Sequence, residues 1–168
     1  MTAVDFFGVK ERIVSILKAD TTNLWWTLSN PSTRSKFRKI EAGSPSPGAL
    51  QEPPLPRLWV TDDDTIANIK NFSHIASNIN FATNYELNMK IIFVIEAKDG
   101  PKTEEDCDDF CKAIIEQLQG NFDLRTDGGA ESTQLAIDTE FTRIEKLRGI
   151  TGDRVQGRIL RFKVTTLN

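Results

Sequence analysis

Residues Asn84 to Ala97 constrain the fold more than any other part of the sequence. Tyr85, Leu87, Met89, Ile91, Phe93, Ile95 and Ala97 alternate onto one face of an extended segment, while Ile92 and Val94 add apolar groups to the opposite face. A strand that is apolar on both sides is normally central and covered twice. The rest of the chain must therefore supply flanking strands and material for two layers. Lys98-Asp99-Gly100-Pro101 turns the chain directly afterwards.

Thr103 then opens the best helical segment, with Asp106 three residues later in a capping-box position. Cys107, Phe110, Cys111, Ile114, Ile115 and Leu118 form its apolar stripe and Gly120 its stop. After glycines 128 and 129, Leu135, Ile137, Thr139 and Phe141 alternate against Gln134, Asp138, Glu140 and Thr142. The final strand alternates Leu160, Phe162 and Val164 against Arg161, Lys163 and Thr165. The passage from Tyr85 to Phe141 fits a strand–helix–strand crossover, and the last two strands an antiparallel pair joined through Gly149 and Gly152.

Earlier in the chain, Val9, Ile13, Ile16 and Leu17 recur at helical spacing over Phe7 to Ala19, with Asp5 as the N-cap. Thr22 to Leu28 reads as a strand through Trp25, Trp26, Thr27 and Leu28, and Leu58-Trp59-Val60-Thr61 as another. Asp62 to Phe81 has mixed spacing and reads as a short helix followed by a loop. Between Ser29 and Pro56 lie six of the seven prolines. Proline removes donors and fixes φ, so this stretch is an extended arm with room for one short strand near Phe37 to Ile40. The expectation is a single α+β domain over residues 1–168. A mixed, mainly antiparallel sheet is covered by two principal helices, and 29–56 forms a long Pro/Ser-rich loop excursion.

A chain of 168 residues can bury a core without metals or disulfides. Its net charge of −3 argues against a general nucleic-acid or anionic-membrane surface. The longest apolar run, Ile91 to Ile95, is too short to span a bilayer. The opening Met1-Thr2-Ala3-Val4-Asp5 lacks a secretory pattern, and two cysteines give no disulfide framework, so a reducing cytosol is the expected place of synthesis.

No group of residues makes a strong chemical site. Cys107 and Cys111 lie one helical turn apart but continue the apolar stripe, which favours burial over metal binding. Glu104, Glu105, Asp106, Asp108 and Asp109 crowd the first turns of a helix, where carboxylates favour the dipole. Asp62-Asp63-Asp64 reads as a solvated turn, and no calcium-loop glycine follows it. His74, the only histidine, has no nucleophile motif beside it, and there is no phosphate-binding or dinucleotide glycine signature. The expectation is no catalytic residue, metal or cofactor. The reading from another class, a small metal-dependent hydrolase, would need the carboxylates of Asp62, Asp63 or Asp64. Arg158, Arg161 and Lys163 on the last strand form either a partner-binding face or cross-strand pairs with Asp138 and Glu140. The three tryptophans are expected in the core, and the 29–56 arm is the best candidate for contact with a neighbour.

The layout resembles the tail-terminator proteins of long-tailed phages (tail-completion, minor tail protein U-like). The matching pieces are the opening helix Val9–Ala19, Pro56-Arg57-Leu58-Trp59-Val60, Tyr85–Ala97 leading into Thr103–Leu118, and the closing Gly157-Arg158-Ile159-Leu160-Arg161-Phe162-Lys163-Val164. The arm and the Asp62–Phe81 stretch are longer than that pattern expects. The resemblance implies a homo-oligomeric ring, typically hexameric, on the last ring of a tail tube. Such a ring stops tube polymerisation and offers a docking face to head-completion or neck proteins. It implies a place at the head-proximal end of a virion tail after assembly in the host cytoplasm, with no membrane and no sequence-specific nucleic acid as partner. A head–tail connector is the neighbouring alternative. By position and composition, the candidate contacts are Arg34, Lys36, Arg38, Lys39, Arg57, Arg158, Arg161 and Lys163.

Overall fold

The computed structural model describes residues 5–29, 36–46, 48–50, 54–71, 83–97, 100–125, 134–148 and 155–166, and for 69–71 and 83–84 the backbone alone. Arg34, His74 and glycines 128, 129, 149 and 152 lie outside the described residues. The elements run helix α1 (Phe6–Ala19), strands β1 (Lys39–Ala42), β2 (Arg57–Asn71) and β3 (Thr83–Glu96), helix α2 (Gly100–Gln119), and strands β4 (Asp138–Lys146) and β5 (Val155–Thr166). The strands form one mixed sheet in the order β1-β2-β3-β5-β4, so the fold is α+β. Only β1 and β2 pair in parallel; the other three pairings are antiparallel. Because β3 and β4 both run antiparallel to β5, they are parallel to each other. Helix α2 is the crossover between them, with β5 inserted in the gap.

The doubly apolar strand sits at the centre of the sheet, as its pattern requires. Leu87, Met89, Ile91, Phe93 and Ile95 of β3 join Leu58 and Val60 of β2 and Leu160, Phe162 and Val164 of β5 on one face. Both helices cover that face. α1 contributes Val9, Ile13, Ile16 and Leu17, and α2 contributes Cys107, Phe110, Cys111, Ile114 and Leu118. The rings of Phe37, Phe93 and Phe110 meet with centroids 4.4–5.8 Å apart. On the opposite face Trp59, Ile92 and Val94 form a second cluster with Ala49, Leu50, Leu55, Leu147, Val155 and Ile159. Ala49, Leu50 and Leu55 come from the proline-rich arm, so part of that excursion serves as the second cover. Gly157 lies beneath it. A Cβ there would come within 2.3 Å of the Phe93 carbonyl oxygen and 3.0 Å of Leu147 Cδ2.

Asp5 caps α1 as expected, its Oδ1 accepting from the Gly8 N–H at 2.9 Å. Three expectations need correction. Thr22 to Leu28 is not a strand, because Asp20 captures the backbone before it can extend. Its Oδ1 accepts from the N–H groups of Thr22 and Asn23, and its carbonyl accepts from those of Leu24 and Trp25. Among the described residues the β tendency survives as isolated bridges, at Trp25, parallel to Phe37, and at Thr27. Asp62 to Phe81 does not begin with a helix or a turn, since β2 continues unbroken to Asn71 with a register shift between Asp62 and Ala67. Finally, α2 starts at Gly100, ahead of Thr103, with Pro101 in the first turn where its missing N–H costs nothing. Thr103 is therefore a buried helical residue. No helix among the described residues is long and apolar enough to cross a membrane.

Candidate interaction surfaces

Side chains alternate along a strand, and this separates the cations of β5. Arg158 shares the helix-covered face with Leu160 and Phe162, whereas Arg161 and Lys163 point to the other side. Arg158 is only 5% exposed and donates to Glu104 Oε2 of α2 at 2.6 Å, with Lys146 of β4 3.3 Å from the same carboxylate. A hydrogen bond from Lys146 and the charge of Arg158 hold the Glu104 carboxyl below its ordinary range. This trio ties the first turns of α2 to β5 and β4. It also lies beside the two cysteines. Burial pushes the Cys107 thiol up and the Cys111 thiol to about 12, against the opposing pull of Arg158.

Arg161 occupies the middle of an ionic lattice on the other face. It donates to Asp63 of β2 and, at 2.6 Å, to Glu145 of β4. Lys90 of β3 lies 3.9 Å from Asp63 and 3.6 Å from Asp64, and Arg143 lies 3.3 Å from Glu145. Lys163 pairs with Glu86 of β3 at 3.2 Å. The cross-strand partners expected from β4 were Asp138 and Glu140. Glu140 does sit opposite Lys163 in the register, yet the ion pair forms on the β3 side. For Asp63, burial works to raise the carboxyl pKa, but bonds from Arg161 and the Asp64 N–H, with the charges of Arg161 and Lys90, hold it below the ordinary value. The acidic triplet is thus a set of three ties. Asp63 and Asp64 serve the lattice, and Asp62 accepts from Lys10 of α1 at 2.5 Å on the helix side. Among the described residues no three His, Cys, Asp or Glu side chains gather in a way that could hold a metal ion.

The arm cations also divide. Lys36 is 2% exposed and donates to the Thr21 carbonyl at 2.5 Å, anchoring the segment that leads into β1. Arg57 is buried, donates to the Ala49 carbonyl and to Glu41, and lies 4.9 Å from the Trp59 ring. Its Nε is buried with no hydrogen-bond partner. Arg38 and Lys39 are exposed at the β1 end of the sheet. Arg38 stacks 4.0 Å over Trp26 and Lys39 pairs with Glu41 at 3.0 Å. Burial tends to raise the Glu41 carboxyl, and Lys39 and Arg57 together bring it below its usual value. Trp26 and Trp25 are half-buried; of the three tryptophans only Trp59 is fully inside, and on the face away from the helices.

Lys36, Arg57 and Arg158 are therefore turned inward, Arg161 and Lys163 belong to the lattice, and Arg38 and Lys39 face solvent.

The fold has a full-length counterpart among solved structures. A chain of the "Virion of native gene transfer agent (GTA) particle" matches with a TM-score of 0.54 and 14% identity, and the match covers 100% of both chains. At that identity the likeness establishes a shared fold. No family model matches the sequence, and no curated protein is similar to it.

Sequence reasoning missed two apolar surface features on opposite flanks of α2. Leu28, in the turn after Trp26, is 84% exposed. On the β4 side a shallow groove between α2 and β4 is lined by Asp108, Cys111, Lys112, Ile115, Glu116, Gln119 and Ile144, with Ile144 48% exposed. Ile144 falls outside the alternation of Leu135 to Phe141 because the register shifts between Phe141 and Arg143, which hides it from a simple period-two reading.

Proposed function

We propose that this protein is a structural subunit of a phage-like virion, and within that class a tail terminator. In this reading it forms a ring, hexameric by the family resemblance, on the end of the tail tube. It stops tube polymerisation and presents a docking face to head-completion or neck proteins at the head-proximal end of the tail. The supporting observation is the end-to-end fold likeness to a chain of a gene transfer agent virion, with neither chain left over. The work is done by surface complementarity, with no substrate turned over. A subunit of this kind needs a rigid body, and the two-sided sheet with its ionic ties supplies one. Arg38 and Lys39 are the candidate contacts of the arm that face solvent. Arg161 and Lys163 are the candidates on the lattice face, where they pair with Asp63, Glu145 and Glu86.

Negative-stain microscopy of the purified protein, with and without the tube protein of the same particle, tests the reading. Rings alone or caps on tube ends are expected. A monomer under both conditions overturns it. Binding to portal or head-completion rings without affinity for tube ends moves the assignment to a head–tail connector.

A further inference from the structure

The geometry points to a head-to-tail contact between copies of this chain, in which the Leu28 end of one molecule seats in the α2/β4 groove of the next. The inference rests on the reading of the protein as an assembling structural subunit, and it names the surfaces that would join. The two surfaces lie on opposite flanks of α2: the 20–28 turn bridges to Phe37 ahead of β1 and its Asn23 shares a hollow with Asp109, Phe110 and Glu116, while the groove opens on the β4 side. With α2 standing between them, a contact of Leu28 with the groove joins two copies.

Their chemistry is complementary. At the β1 end, Lys18 lies 4.9 Å from the Trp25 ring and Arg38 4.0 Å from the Trp26 ring, so a cation-capped aromatic ridge leads to Leu28. Aromatic residues and arginine are the composition favoured at interface centres, and Leu28, 84% exposed, extends that ridge as an apolar tip. At the β4 end the groove offers an apolar floor of Cys111, Ile115 and Ile144 rimmed by three exposed charges, of which Lys112 and Glu116 pair at 3.9 Å and Asp108 is the carboxylate in excess. An apolar tip with positive flanks thus meets an apolar slot whose rim carries one net negative charge, at Asp108. Because the two surfaces differ, the contact is heterologous, and repeating it gives a closed ring or an open filament according to the rotation between copies.

Two variants test this, each changing one exposed residue. Leu28→Asp removes the tip and keeps the groove; Ile144→Asp blocks the groove and keeps the tip. Wild type is expected to sediment as a multimer, alone or with the tube protein. Each variant alone should sediment as a single 18.9 kDa chain with an unchanged circular dichroism spectrum. An equimolar mixture should give a species of twice that mass and nothing larger, because each pair has one intact tip-and-groove contact and no means of extending it. If both variants assemble as wild type does, or the mixture stays monomeric, the contact is wrong while the structural-subunit reading stands. If wild type fails to assemble in either condition, both fall.

Discussion

The two faces of the sheet solve the problem of a central strand in different ways. The helix side is apolar from Ile40 to Val164 and closed by two amphipathic helices, with an aromatic trio at its centre. The other side is divided. One half is a small apolar cluster covered by pieces of the arm and by Leu147, and the other half is a lattice of charges on which no helix packs among the described residues. The helix side holds stability in burial, which is tolerant of geometry only within a close-packed limit. The lattice holds four strands to one another through directional contacts, each weak on its own. A subunit built to fit neighbours gains from that division, because the second side stays polar enough to meet water or a partner.

The largest effect should separate the faces at once. Phe93→Ala removes a fully buried ring that touches both Phe37 and Phe110, and should cost about 3–5 kcal/mol in denaturant unfolding. Ile92→Ala, the next residue on the same strand, empties part of the smaller cluster. It should cost about 2 kcal/mol, the low end of the range for such truncations, because the covering arm can settle inward. Equal costs would mean that the arm packs as rigidly as the helices and would break the comparison.

Both faces were legible in the sequence, though unequally. Alternation from Tyr85 to Ile95, with Ile92 and Val94 on the reverse, was enough to place the central strand and to require a second cover. The 3.6-residue stripes of Val9–Leu17 and Cys107–Leu118 were enough for the helix layer, because burial pattern and propensity agreed there. The lattice was not legible. Asp62-Asp63-Asp64 looks like a turn when read alone, and it becomes strand because Lys10, Lys90 and Arg161 neutralise it from α1, β3 and β5. Those partners are far away in sequence, and no local rule anticipates them. Trp25-Trp26-Thr27 failed for the opposite reason: a strong β propensity lost to one upstream aspartate that gathers four N–H groups.

Protonation probes the same contrast by pH. The Cys107 and Cys111 thiols are raised in the folded state, so the unfolded chain loses those protons first and stability falls as pH climbs above the ordinary thiol value of 9.0, for Cys111 up to about 12. Asp63 has a lowered folded value, so its contribution is complete above 3.8 and is lost as pH falls below it. Urea midpoints measured across both ranges should show an alkaline loss that lessens in Cys111→Ala and an acid loss that lessens in Asp63→Asn. A crossed result, with Asp63→Asn flattening the alkaline arm, would contradict the assignment of each group to its face.

The smallest expected effect tests how little a single lattice member matters. Lys163 and Glu86 sit at the margin of the network, 3.2 Å apart, with the lysine partly open to solvent. Lys163→Ala should change stability by less than about 0.5 kcal/mol, because a solvated pair gains little over its separated, hydrated ions. Arg161→Ala in parallel should cost more, since that one side chain ties β5 to β4 and, reaching past β3, to β2, and its loss leaves Asp63 facing Lys90 alone. If the two substitutions cost the same, the charges act as independent surface pairs. The second face would then owe its order to Trp59, Ile92 and Val94, with no share from a cooperative lattice.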